Sequence, residues 1–248
     1  MSRAGALWQK IFETLRAEIA DGAWRAGARL PTEAELARRF DVNRHTVRRA
    51  LHALADEELV TSRRGAGVFV RMRPVAYTIG LRTRFRQNLL SAGRTPSSEL
   101  LHLTQRAASD REAHALALAP GAPVHVMEAI SLADGLPISL ARSWFCATRF
   151  PGLAEALRST GSITAALARV GVADYLRQST RLTGHNADAV QARHLQIVPG
   201  DALILSESVN IDASSTPVEY GRTYFVGARV ELFHDGQDSA SFVTRLPQ

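Results

Sequence analysis

The sequence predicts an α+β chain in two domains: a small basic unit of helices closed by a hairpin, then a larger antiparallel sheet with helices packed on it. Three observations carry this expectation. Apolar residues recur at helical spacing through residues 7–54 and give way to a short β-rich run beside glycines. A pattern of helix, Pro-Gly turn and two strands occurs twice, 79 residues apart. Basic charge gathers at one end, with 14 Lys and Arg against 9 Asp and Glu in residues 1–73 and 16 against 15 in residues 74–248.

Of 248 residues, 46% are hydrophobic and 22% charged, which is enough apolar material for a core and too little charge for a disordered chain. Cys146 is the single cysteine, so an intrachain disulfide and a cysteine-based zinc site are excluded, and the cytoplasm is the expected compartment. No apolar run approaches the ~20 residues of a membrane span. Trp8, Gln9, Lys10 and Glu13 interrupt the stretch a signal peptide would need, so a soluble, uncleaved chain without a membrane partner is expected.

Leu7, Ile11, Leu15 and Ile19, with Phe12 alongside, form one stripe of an amphipathic helix that Gly22 ends. Thr32 followed by Glu35 is a capping-box pattern opening a short helix that buries Leu36 and Phe40. Asp41-Val42 makes a tight turn, Asn43 caps a third helix, and Val47, Ala50, Leu51 and Leu54 give that helix its core face. Its other face presents Arg44, His45, Arg48, Arg49 and His52, either a solvated arginine face or a surface suited to the major groove, where arginine makes bidentate contacts to guanine. Arg63, Arg64, Gly65 and Gly67 precede a β-rich run and read as a hairpin whose tip can approach DNA. Together these elements describe a winged helix-turn-helix.

Arg29-Leu30-Pro31-Thr32-Glu33, Asn43 to Leu51 and Gly65 to Val70 resemble three ordered blocks of the GntR family of bacterial transcription regulators. The resemblance implies that Arg44, Thr46, Arg48 and the Gly65–Gly67 wing touch DNA; with the residues read above, the candidate set is Thr32, Arg44, His45, Thr46, Arg48, Arg49, Arg63, Arg64, Gly65 and Gly67. Ala34 replaces an arginine that many members use on DNA, and Asn43 replaces the usual serine.

Pro74 marks the expected boundary: residues 1–73 as the DNA-binding domain, 74–80 as a linker and 81–248 as the second domain. There, Leu116 to Gly121 is echoed by Leu195 to Gly200, Glu128 by Glu207, Arg142 by Arg222 and Trp144-Phe145 by Tyr224-Phe225. Two such copies would pair their hairpins into one antiparallel sheet with helices on one face.

Asp134 to Ile138, Phe150 to Leu153 and Thr216 to Tyr220 resemble the UTRA effector domain of the HutC-like branch, which implies a chorismate-lyase-like fold that binds small molecules. Arg82, Arg84 and Arg86 around Phe85 stand at the start of a helical stretch; they read either as a solvated basic loop, as partners of nearby acids, or as an anion site. The resemblance implies that this loop and Ser162, in Ser162-Ile163-Thr164, hold a ligand phosphate, and that Glu219 and Tyr224 contact the rest. Ala129 and Ser131 stand where amino-sugar-phosphate sensors have arginines, which argues against that ligand. Thr83 to Leu90 and Asp174 to Arg181 instead resemble regulators of phosphonate uptake and breakdown, and Arg177 and Arg181 add positive charge. The candidate effector set is Arg82, Arg84, Phe85, Arg86, Ser162, Thr164, Arg177, Glu219 and Tyr224.

Eight histidines show no metal-ligand spacing, and neither a nucleophile motif nor a phosphate-binding glycine loop precedes a helix, so no cofactor, metal or catalytic residue is expected. The expectation is a homodimeric, ligand-responsive repressor of a transport or catabolic operon, binding a palindromic double-stranded operator and an anionic, phosphonate- or phosphate-like effector. The competing reading is a chorismate-lyase-like enzyme with an accessory DNA-binding domain.

Overall fold

The computed structural model describes residues 3–24, 27–63, 65–71 and 74–234, leaving aside the side chains of residues 3–6 and of Arg63. It divides into two compact units, Met1–Arg73 and Pro74–Gln248.

In the first unit, α1 (Arg3–Ala20), α2 (Glu33–Phe40) and α3 (Arg44–Asp56) precede β1 (Val60–Arg63) and β2 (Gly67–Val70). The helical periodicity closes one core of Ile11, Leu15, Leu36, Val47, Ala50, Leu51 and Leu54, with Val60 and Val70 from the hairpin. Leu7, expected on the buried stripe, is 44% exposed; it lies one turn before Ile11, where the core begins. Thr32 and Glu35 form the capping box of α2, Asn43 caps α3, and Asp41 takes the left-handed conformation (φ 52°) that turns the chain between them. β1 and β2 pair antiparallel from Val60↔Val70 to Arg63↔Gly67, and residues 27–30 add bonds to the outer edge, Leu30 N–H donating to Val68 O at 2.8 Å.

The second unit opens with β3 (Val75–Thr78), which pairs parallel with β10 (Val230–Phe233), so residues expected as linker belong to a strand. After α4 (Phe85–Ser91), a six-stranded antiparallel sheet is built from β4 (Pro96–Ala107), β5 (Pro123–Ala133), β6 (Leu136–Cys146), β7 (Leu176–Asn186), β8 (Ala202–Ile211) and β9 (Pro217–Val226). Its spatial order is β4-β5-β6-β9-β8-β7. The helices are α5 (Asp110–Ala115), α6 (Leu153–Thr160), α7 (Ile163–Arg169) and α8 (Ala189–Leu195).

The repeat is longer than its sequence landmarks, because β4 and β7 also correspond: each copy is strand, helix, strand, strand. Backbone detail matches as well. Ala108 N–H donates to Ala122 O and Ala187 N–H to Asp201 O, both at 2.9 Å, and Ala117 and Gln196 share a left-handed φ of 53° and 52°.

Helices cover both faces of the sheet, not one. Val124, Val126 and Trp144 pack with α5, and Ile130, Leu140 and Leu203 with α8, whereas Met127, Ala129 and Phe145, of opposite parity on the same strands, pack under α6 and α7. Burial on both faces explains why β5 shows a near-continuous buried run instead of alternation.

Glu112 anchors the first copy. Its buried carboxylate accepts two bonds from Arg106, each 2.7 Å, and one from Ser109 N–H at 2.9 Å, which together hold its pKa down at about 2 despite burial. The second copy places Gln191 at the matching position, capped against Asp188. A carboxylate with a lowered folded pKa adds stability above the unfolded pKa of about 4.3 and loses it as pH falls toward the folded value. Chemical denaturation of the native chain should therefore lose stability between about pH 4.5 and 2; Glu112→Gln should cost about 1–3 kcal/mol near neutral pH and remove that part of the acid dependence.

Candidate DNA-binding face and effector site

On α3, the Asn43 side chain accepts from the backbone N–H and hydroxyl of Thr46, both at 2.9 Å, so Thr46 is half-buried in the cap. Arg44 and His45 are exposed on the first turn. Arg48 crosses to α2, where its Nε and one terminal nitrogen donate to Glu33 at 3.0 and 2.7 Å. These bonds, aided by Arg44 and His45, hold the Glu33 carboxyl below its usual range. Arg49 turns the other way and stacks over the Trp8 ring at 4.6 Å, bridging α3 to α1 instead of joining Arg44 and Arg48. The Thr32 hydroxyl is occupied by Glu35 at 2.7 Å.

Gly65 and Gly67 have positive φ (77° and 111°), as the turn at the hairpin tip requires. At Gly67 a Cβ would stand 2.8 Å from Arg29 Nε, so the missing side chain is what lets Arg29 lie against the hairpin. Arg64 lies outside the described residues, as does the side chain of Arg63. Arg29 and Glu33, absent from the expected set, therefore belong to this face; Arg29 and Thr32 line a shallow open depression with Leu30, Pro31 and Glu35. Their signal in the sequence was the shared block Arg29 to Glu33, whose charges meet the hairpin and α3 only in three dimensions.

In the second unit, the structure brings Arg84, Thr164, Arg177 and Glu219 into one polar group. Arg84, with its side chain 12% exposed, donates to Asp174 at 3.0 Å and to Tyr175 O at 2.6 Å, and its guanidinium stacks 3.5 Å over the Tyr175 ring. The Tyr175 hydroxyl meets Thr164 at 2.9 Å. Arg177 donates to Asn210 at 2.7 Å and Thr180 at 3.2 Å; Asn210 donates to Glu219 at 2.7 Å, and Ser143 donates to the other Glu219 oxygen at 2.7 Å. Gly221 keeps this row closed, since its Cβ would stand 3.3 Å from Ser208 Oγ and 3.7 Å from the Glu219 carboxylate.

Burial pulls the Arg177 guanidinium below the usual arginine range, against the opposing influence of Glu219. Burial also raises Tyr175, and it pushes Tyr77, which packs on Phe225 at 5.1 Å, up to about 12. These are the marks of a poorly solvated place.

The other expected residues lie elsewhere. Arg82 is exposed and pairs with Asp174, Arg86 is exposed, and Phe85 is half-buried at the start of α4. Ser162 caps α7, its hydroxyl accepting from Ala165 N–H at 3.3 Å. Strand alternation sends Tyr224 to the α8 face, where it packs on His185 at 5.1 Å and accepts a bond from Arg222. Arg181 stands opposite Glu207 in the register of that same face. Tyr77, Ser143, Tyr175 and Asn210 were not expected; neutral polar residues and a tyrosine within strands carry no signal of their own before the register is known.

Among the described residues, no group of three or more His, Cys, Asp or Glu could hold a metal ion, and no helix is long and apolar enough to cross a membrane.

Comparison with known proteins joins the two units. Residues 7–70 match the family described as bacterial regulatory proteins, gntR family, and residues 91–231 match the UTRA domain. An HTH-type transcriptional regulator of Rhizobium meliloti is 41% identical over 92% of this chain and 93% of its own length. The probable transcriptional regulator PhnF of Escherichia coli is 35% identical, over 86% of this chain and 88% of its own. The crystal structure of PhnF from Mycobacterium smegmatis superposes with a TM-score of 0.62 at 26% identity, over 91% of this chain and 98% of that one. These relatives are named as regulators, not enzymes, and the chain belongs to the GntR family of bacterial transcription regulators, in the HutC-like branch that carries a UTRA domain.

Proposed function

We propose that this chain is a cytoplasmic, ligand-responsive repressor that binds a palindromic operator as a homodimer and senses an anionic effector of phosphonate or phosphate type. The observation that carries the effector class is the pairing of Arg84 with Arg177. Arg84 is largely buried and stacks on Tyr175, and Arg177, also largely buried, lies within electrostatic reach of both and is bonded to neutral side chains, Asn210 and Thr180. A planar fork of donors in such a place suits a tetrahedral oxyanion, which accepts several charge-assisted bonds at once. Glu219, buried and fixed by Ser143 and Asn210, would limit the site to ligands with a donor or a cation beside the anion. The similarity to PhnF proteins supports a phosphonate-related role, for the regulation of a transport or catabolic operon.

The DNA reading rests on the exposed edge formed by Arg44, His45 and Arg48, with the Gly65–Gly67 hairpin and Arg29 beside it. A two-fold dimer would set two such edges on the half-sites of a palindrome. Effector binding would act on DNA affinity through the segment between the units, by favouring one arrangement of the heads over another.

Two measurements test this. In gel-shift titrations with the DNA upstream of its own gene, Arg48→Ala should weaken specific binding by about 1–3 kcal/mol, roughly fivefold to 150-fold; unchanged affinity and sequence preference would remove Arg48 from the interface. In a thermal-shift screen of methylphosphonate, inorganic phosphate, phosphate esters, carboxylates and amino acids, an oxyanion at a hundredfold over its Kd should raise Tm by about 5–10 °C. Arg84→Gln and Arg177→Gln should each abolish that rise. A shift given only by carboxylates or amino acids, or one that survives both substitutions, would refute the assigned site.

A further inference from the structure

Glu33 is an acid at the centre of a basic surface. It is the first residue of α2, and its carboxylate takes Arg48 side-on through Nε at 3.0 Å and a terminal nitrogen at 2.7 Å, across the angle between α2 and α3. Both side chains are solvated, Arg48 at 51% and Glu33 at 34% exposure, and so open an ion pair contributes little to folding. Stability therefore does not account for it.

A guanidinium carries its five donors on two usable edges. Glu33 occupies the Nε edge and leaves the end formed by the two terminal nitrogens, the fork that matches O6 and N7 of a single guanine. An arginine without such a brace is a flexible cation beside a polyanion. It would distribute among phosphates, which attract it in any sequence and specify none.

We propose that Glu33 is a specificity-determining positioning residue of the operator contact, bracing Arg48 so that its outer edge reads a base and withholding it from the phosphate backbone. The inference rests on the DNA role of Arg48 proposed above. Glu33 serves two ends: it pre-arranges the fork, so little side-chain freedom is lost on binding, and its own charge repels phosphate from the Nε edge.

The test measures equilibrium binding of the full chain to the footprinted segment of its upstream DNA and to a scrambled duplex of equal length, across a range of salt. Glu33→Gln, Arg48→Ala and the double variant are compared with the native chain. Glu33→Gln should lower the ratio of operator to scrambled affinity about tenfold, partly by raising affinity for the scrambled duplex. It should also steepen the slope of log K against log salt on that duplex by about one unit, as Arg48 gains a phosphate. The double variant should match Arg48→Ala alone, because Glu33 acts only through Arg48. If Arg48→Ala loses operator affinity while Glu33→Gln leaves both ratio and slope unchanged, the brace is wrong and the DNA role of Arg48 stands. If Arg48→Ala changes neither ratio nor affinity, the DNA assignment itself falls and takes the brace with it.

Discussion

Antiparallel pairing of β6 with β9, from Ser139↔Phe225 to Trp144↔Tyr220, is the seam on which the second unit depends. Each half of the repeat alone is a three-stranded sheet with one short helix, too small to bury both of its faces. Joining the halves at this seam turns two edge strands into central ones and leaves β4 and β7 as the edges of the six-stranded sheet. The seam has an electrostatic constraint. Arg142 stands directly opposite Arg222, and like charges so placed are destabilising. The remedy is repeated with the fold: Glu128 accepts from Arg142 at 2.8 Å, and Glu207 lies 2.9 Å from Arg222. These four are among the landmark residues of the sequence repeat, so their recurrence has a mechanical reason at the junction.

The scaffold is symmetric and the proposed site is not. In the second copy Arg177 faces Asn210 and Asn210 faces Glu219 across β7, β8 and β9; in the first copy the matching partners are Ser98, Ser131 and Ser139. The same backbone thus carries large charged groups on one half and small hydroxyls on the other. Glu219 then reaches over the seam to Ser143 of the first copy. A site of this kind needs both halves: one contributes the charged row, and the other, through β6, the hydroxyl that fixes its carboxylate.

How much of this was legible depended on whether the signal was periodic. The helical stripe of α3, the capping box at Thr32 and Glu35 and the repeat all follow spacings along the chain, and each is present where the spacing put it. Helices cover both faces where the repeat alone predicts one, yet the sequence carries a trace of this: Val124 to Ala133 does not alternate, because both faces of β5 are covered. Arg84 and Arg177 stand out by their charge, whereas Asn210 and Ser143 are ordinary strand residues, and Tyr175 an ordinary residue just before β7, until the fold sets them beside those arginines. Tyr224 lies on the opposite side of the sheet from Arg177 and Glu219. Its neighbour Phe225 faces Tyr77, and a shift of one residue along a strand moves a side chain to the other side of the sheet.

An effector at Arg84 can alter DNA affinity only if its binding differs in free energy between two arrangements of the chain, and coupling of 1–3 kcal/mol is typical. The shortest covalent route from Arg84 toward the first unit runs back through Thr83, Gly80 and β3. It is tied at two points: Thr83 bonds the backbone of Gly80 in both directions, at 2.8 and 3.0 Å, and the Asn88 amide exchanges two bonds with the backbone of Thr78, at 3.0 and 3.2 Å. α4 itself has seven residues and no side-chain cap on its first turn, so it is not stable alone and keeps its form through buried Leu89 and these bonds. α4 thus depends on these tethers, and the Asn88 bonds to Thr78 join it to β3, the strand that leads back along the chain toward the first unit.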